Sequence, residues 1–130
     1  MKLDVGGAPP PIDSEALNEA RSALPAPEIL AVVTEAFQAL ADPTRVRILY
    51  ALLTRPLCVR DLAHLTGVSE SGVSHQLRLL RDRRLVKPRR DGNVIYYEVD
   101  DHHLPALFKE AEYHADHVGR GLPDHPYARP

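Results

Sequence analysis

A mainly α chain carrying one β-hairpin is predicted by three observations. Two short helical stripes, Val59 to Thr66 and the run that follows Ser69, are separated only by Gly67-Val68-Ser69, so they read as a helix-turn-helix unit. Two β-prone runs, VKPRR and VIYYEV, flank Asp91-Gly92-Asn93 directly after it, which is the pattern of a hairpin wing. A last amphipathic stretch from Leu104 to Val118 closes the chain's periodic part. The fold class they predict is a winged helix-turn-helix.

The elements follow in order. Residues 1–13 are rich in Gly, Pro and Asp without periodicity and are expected to form a disordered arm. Ser14 is placed to cap a helix running to Ala23, which Pro25 and Pro27 break. From Glu28, helical spacing of Leu30, Val33, Phe37 and Leu40 continues to Ala41. Asp42 followed by Pro43 is a strong restart, with a capping side chain and then proline where a helix tolerates it best. Val46, Leu49, Tyr50 and Leu53 give that helix one apolar face up to Pro56. In the helix-turn-helix, Leu62 and Leu65 point inward from the first helix, and Val73, Leu77 and Leu80 from the second, which Ser69 caps. The last helix presents Leu104, Leu107, Phe108, Ala111, Ala115 and Val118 on one stripe. The winged helix-turn-helix domain is thus expected over residues 14–118, and a flexible tail over 119–130.

At 130 residues, with 44% hydrophobic and 26% charged residues, the chain suits one globular domain. Its longest wholly apolar run, Ile48 to Leu53, is far shorter than the roughly 20 residues of a membrane helix, so no membrane partner is expected. The N-terminus lacks the apolar segment of a secretory signal, and the lone Cys58 builds no disulfide framework. A cytoplasmic protein is expected.

The net charge of -2 hides a strong division. Residues 45–90 hold eleven Arg or Lys against three acids, a balance of +8, while each flank carries -5. A basic middle between acidic arms points to a polyanion partner for the middle alone. On the second helix of the helix-turn-helix, Ser71, Ser74, His75 and Arg78 lie opposite the apolar stripe with Gln76 beside them. Such side chains can read base edges in double-stranded DNA, and Arg81, Arg83 and Arg84 follow where phosphates would pass. Arg89, Arg90 and Asn93 place further contacts on the wing, toward an adjacent minor groove or the backbone.

The runs LADPTRVRIL and LCVRDLAHLTGVSESGVSHQLRLLRDRRLVKPRRDGNVIYYEVDDHH, taken in order, resemble the ArsR/SmtB metal-sensing repressors over roughly residues 35–118. The resemblance implies a homodimeric repressor that leaves its operator when a metal ion binds.

Five of the seven histidines fall in the last quarter of the chain. Asp101-x-His103 and His114-x-x-His117 each form a two-ligand unit. Residues two apart on a helix diverge by about 200°, but Pro105 delays the helix, so an extended Asp101 and His103 would share a side. His114 and His117, three apart, share a helix face. Eleven residues of helix between the pairs span roughly 16 Å, whereas ligands lie about 2 Å from zinc. Either the helix folds back or a second chain contributes, and two antiparallel helices about a two-fold axis would create two sites at the ends of an apolar seam.

The resemblance implies the second arrangement, with Asp101 and His103 of one protomer joined by His114 and His117 of the other. Those donors suit tetrahedral Zn(II) or Co(II). Ni(II) is the alternative, with His102 or His125 enlarging the shell; otherwise both face solvent. A winged helix that senses no metal also stays open. Cys58 matches a family metal position with Asp61 nearby, yet Val59 and Arg60 follow where a further cysteine would be needed, so Cys58 is expected to be a small buried side chain. The resemblance further implies that His114 donates a hydrogen bond toward Arg84, tying the metal site to the DNA-reading helix. An enzyme is not expected, because no nucleophile stands beside the Asp and His groups and four protein ligands leave no open metal position.

Overall fold

The structure, a computed structural model, describes residues 7–120, and His125 together with most of the expected tail lies outside them. Two compact units divide at Glu35 and Ala36. In the first, helix α1 spans Ser14–Ala23. Asp13, rather than Ser14, is its cap: the Asp13 carboxylate accepts a hydrogen bond from the Ala16 amide at 2.9 Å. Helix α2, Pro27–Leu40, begins in this unit and ends in the next. Of its periodic side chains, Leu30, Val33 and Phe37 are exposed, whereas Leu40 is half-buried and packs against the core.

The second unit is built around helix α3, Pro43–Thr54, which starts as expected. Asp42 accepts from the Arg45 amide at 2.9 Å, and Pro43 occupies the first turn. Its buried residues are Ile48, Leu49 and Leu52, a face rotated from the expected stripe: Leu49 is shared, Val46 and Leu53 are half-buried, and Tyr50 is exposed. Elements on more than one side of α3 decide this, since the following two helices and the sheet all pack against it.

Strand β1, Leu57–Cys58, leads into α4, Val59–Thr66, and α5, Glu70–Asp82. The link between the two helices uses Gly67 in the left-handed conformation at φ 74°, where a side chain would be strained. Thr66, the buried polar residue here, gives its hydroxyl to the Leu62 carbonyl at 2.8 Å and receives the Val68 amide at 3.3 Å. Leu62 is buried as expected, but Leu65 is exposed. On α5, Val73, Leu77 and Leu80 are all fully buried, in agreement with the i, i+4, i+7 stripe.

Strands β2, Val86–Asp91, and β3, Val94–Val99, form the antiparallel wing around Gly92-Asn93. Two-residue β1 adds to the other edge of β3 in the order β1-β3-β2, and it was too short to leave an alternation in the sequence. Helix α6, Leu104–Gly119, enters the core by Leu104 and Phe108 alone. Leu107 and Val118 of the expected stripe stay exposed. Among the described residues no single helix is long and apolar enough to cross a membrane.

The exit from α5 is strained. Arg84 takes φ 58°, the non-glycine residue with positive φ among those described. The Arg84 amide bonds to the Arg81 carbonyl and the Leu85 amide to the Leu80 carbonyl, both at 2.9 Å, which closes the helix and drops Leu85 into the core. Glycine usually fills that position. Arg84→Gly is therefore expected to stabilise the fold by about 1 kcal/mol, seen as a higher urea midpoint at unchanged slope.

Candidate nucleic-acid interface and metal centre

The surface opposite the buried stripe of α5 starts at a well-made helix terminus. The Ser69 hydroxyl accepts from the Gly72 amide at 3.1 Å, and its oxygen lies 3.2 Å from that of Ser71. A side chain on Gly72 would bring its Cβ to 2.6 Å from Val68, so glycine keeps this cap closed. Ser71, His75 and Arg78 are exposed, and Ser74 is half-buried beside them. Arg81, Arg83 and Arg84 are exposed at the end of the helix.

Gln76 is placed differently from the other expected reading residues. It is half-buried, and its Oε1 accepts from Nη1 of Arg45 at 3.0 Å. The same guanidinium donates to the Ala39 carbonyl at 2.6 Å and the Gln38 carbonyl at 3.1 Å. No pattern in the sequence links Arg45 to Gln76, because they are 31 residues apart.

On the wing, the register pairs Arg89 with Tyr96 and Arg90 with Ile95. Side chains alternate along a strand, so the two arginines leave opposite faces. Arg89 lies 3.6 Å from the Glu98 carboxylate and 5.6 Å from the Tyr96 ring centre. Lys87 joins the same face, 4.0 Å from Glu98 and 3.7 Å from Asp100. Arg90 and Asn93 are exposed at the tip. One wing arginine is thus held by an acid while the other extends outward.

The expected metal ligands form two separate groups. Asp101 and His103 meet, but through a turn rather than through extended backbone. One Asp101 oxygen accepts from the His103 amide at 2.8 Å and lies 2.9 Å from His103 Nδ1, while His103 itself is near-helical at φ -85°, ψ -16°. The short carboxylate folds the chain onto itself just before α6, which spacing and Pro105 did not reveal. Near the other end of the helix, His114 is exposed and His117 half-buried. The Nδ1 atom of His117 is buried without a hydrogen-bond partner. Among the described residues, no three His, Cys, Asp or Glu side chains of one chain converge as a metal site.

His102 is exposed. Cys58 is half-buried, less enclosed than expected, and stands at the N-terminus of α4 without a side-chain capping bond; Asp61 is exposed.

Helix α6 is held by Tyr50. Its ring stacks on Phe108 with centroids 4.6 Å apart and planes 11° apart, and its hydroxyl donates to a Glu112 oxygen at 2.8 Å. Desolvation first, and then the bond to Glu112 and its charge, raise the Tyr50 pKa above the ordinary 10.0. The unfolded chain loses this proton first as pH rises, so the stability tied to it is present below about pH 10 and is lost as pH rises through the higher folded value. Tyr50→Phe is expected to remove that part of the alkaline decline, measured by urea unfolding across the range.

Comparison with known proteins places these features in context. A family described as "Bacterial regulatory protein, arsR family" matches residues 42–87. A transcriptional repressor SmtB homolog of Synechocystis sp. is 48% identical over 97 residues, which are 71% of this chain and 71% of that protein. The HTH-type transcriptional regulator NmtR of Mycobacterium tuberculosis is 48% identical over 99 residues, 75% of this chain and 82% of its own. The solution structure of apo-NmtR matches 99% of this chain and 98% of that one, with 38% identity and a TM-score of 0.56. A homodimeric winged helix-turn-helix DNA-binding domain from Mycobacterium bovis, a possible ArsR-family transcriptional regulator, matches 80% of this chain and 99% of that one, with 27% identity and a TM-score of 0.68.

Proposed function

This chain belongs to the ArsR family of bacterial regulatory proteins, and on that premise we propose that it is a metal-responsive repressor, bound to operator DNA as a homodimer and released by Zn(II) or Co(II). Asp101 and His103 of one copy, with His114 and His117 of the second, would hold the ion. The observation that carries this reading is the state of α6 in a single chain. A paired carboxylate and imidazole stand at its start, and a buried imidazole nitrogen near its end has no partner. A buried polar atom left unpaired costs about 1 to 3 kcal/mol, so a structure that retains one is well served by a ligand or a neighbouring chain. The donor set is one carboxylate and three imidazoles, suited to a borderline divalent ion. Homodimery in a structural neighbour and the printed names of the relatives, which are regulators and repressors rather than enzymes, support the same reading.

When bound, the ion supplies a cross-link between the start of one α6 and the end of the other. The protein's part is to convert that link into a different presentation of α5. Asp101 orients His103, and Phe108 with Tyr50 anchors α6 on α3. His114 would pass the change to the exit of α5 by donating toward Arg84, where the left-handed turn stands. Such coupling is commonly worth about 1 to 3 kcal/mol.

Two experiments test this function. Arg78→Ala and Arg90→Ala are expected to weaken operator binding, and Arg90→Ala, as a lost phosphate contact on the wing, to reduce its salt dependence by about one unit of slope as well. Arg89→Ala should do less, because Glu98 already engages that cation. Unchanged affinity in all three variants would remove α5 and the wing from the reading surface. For the metal site, His103→Ala mixed with His117→Ala is expected to regain one intact site per heterodimer, whereas neither homodimer retains one. Tight zinc binding at one ion per chain in both homodimers would contradict a shared site. Titrating operator release with zinc, cobalt and nickel identifies the effective ion, and a stronger response to nickel would move the assignment to that metal.

A further inference from the structure

The guanidinium of Arg45 joins three segments of the second unit. It donates to the carbonyls of Gln38 and Ala39 at the end of α2, and to Oε1 of Gln76 in the middle of α5. The last carbonyls of a helix lack partners within it and carry its negative end, so a cation with several donors is well matched to them. The Arg45 amide is itself fixed by the Asp42 cap at 2.9 Å, which holds the origin of the side chain. Guanidinium has donors only, so the Gln76 atom facing it is the oxygen.

This occupancy changes what Gln76 can do. Reading adenine with both ends of its amide would use the oxygen to accept and the nitrogen to donate. Here the oxygen is turned to Arg45. Gln76 also follows Val73 by three positions and precedes Leu80 by four, so it lies along the edge of the buried stripe and not at the centre of the outer face. We propose that Arg45 and Gln76 are a positioning pair, which fixes the roll of α5 against the end of α2 and so sets how Ser71, Ser74, His75 and Arg78 meet DNA. Gln76 acts through Arg45 and not as a base-reading residue. The inference rests on the DNA-binding function above.

A preferred duplex is first selected from a random-sequence pool with the unsubstituted full-length protein, and a shuffled duplex of the same composition serves as the reference. Operator affinity is measured for Arg45→Met, Gln76→Met, their double variant and Arg45→Lys, with urea unfolding as a check on folding. Each single Met variant is expected to lose about tenfold in affinity for the selected duplex, with binding of the shuffled duplex unchanged within about twofold, because non-specific binding follows phosphate charge. The double variant should match the singles, as for partners in one interaction. Arg45→Lys keeps the charge but not the fork, and it should fail like Arg45→Met.

Rescue by Arg45→Lys, or a parallel loss on the shuffled duplex, would make Arg45 a phosphate contact and overturn the pairing. Losses that multiply in the double variant would restore Gln76 as an independent reader. Full affinity in Gln76→Met, which removes only a half-buried amide, would show that the bond positions nothing. Selection that yields no preferred duplex would instead defeat the DNA-binding function, and the inference with it.

Discussion

The roll of one helix governs the rest of this structure. Val73, Leu77 and Leu80 are fully buried along α5, and their spacing leaves a single orientation in which all three enter the core together. That orientation turns Ser71, His75 and Arg78 outward, and under the proposed pairing the bond from Arg45 to Gln76 at the edge of the stripe sets its final angle. Burial of each such side chain contributes about 1.5 to 3 kcal/mol, more than a surface contact supplies, so the apolar stripe decides and the polar face follows. The caps act on the other degree of freedom. Ser69 and Gly72 close the start of α5 and the turn at Arg84 closes its end, so the helix cannot lengthen in either direction.

Charge then divides the surface in a way that suits a molecule with two kinds of partner. The cations of residues 45–90 are concentrated on α5, its exit and the wing, while acids dominate both flanks. Some of those cations are already matched: Arg60 lies 3.6 Å from Glu70, and Arg89 is held by Glu98. Exposed pairs of this kind contribute little to stability, typically below about 1 kcal/mol, and are easily exchanged for a phosphate. Their more useful effect is to hold long side chains near one geometry before DNA arrives.

Much of this was legible from residue spacing because the signals were local. The Asp42-Pro43 start, the glycine between α4 and α5, the α5 stripe and the hairpin around Gly92-Asn93 each lie within a few residues, and each stands where it was expected. What was missed depends on distant partners. The buried face of α3 is chosen by several elements around it, and β1 exists only because β3 offers an edge to Leu57 and Cys58. The Asp101 turn was hidden for another reason, since a carboxylate bonding to an amide two residues on competes with extended backbone through a side-chain choice that hydrophobic periodicity does not record. The bond from Arg45 to Gln76 likewise joins residues 31 apart, and it engages a side chain whose type alone suggested base contact.

The last helix poses an energetic question that a second copy would answer. Leu107 and Val118 are 39% and 61% exposed on a helix whose Leu104 and Phe108 are buried, so one side of α6 is anchored while another apolar side meets water. Phe37 on α2 is 60% exposed as well. In a monomer these side chains forfeit the stabilisation that burial would give, and His117 keeps a buried nitrogen unpaired. Under the proposed assembly, the apolar side supplies association that does not depend on metal, whereas Asp101, His103, His114 and His117 add a contribution only when an ion is held. Separating the two has a direct consequence for regulation. A dimer that required metal to form would lose operator binding in its absence, the reverse of a repressor released by metal. Association through apolar side chains lets the metal-free dimer bind DNA, and it leaves the ion to change the dimer's shape and not its existence.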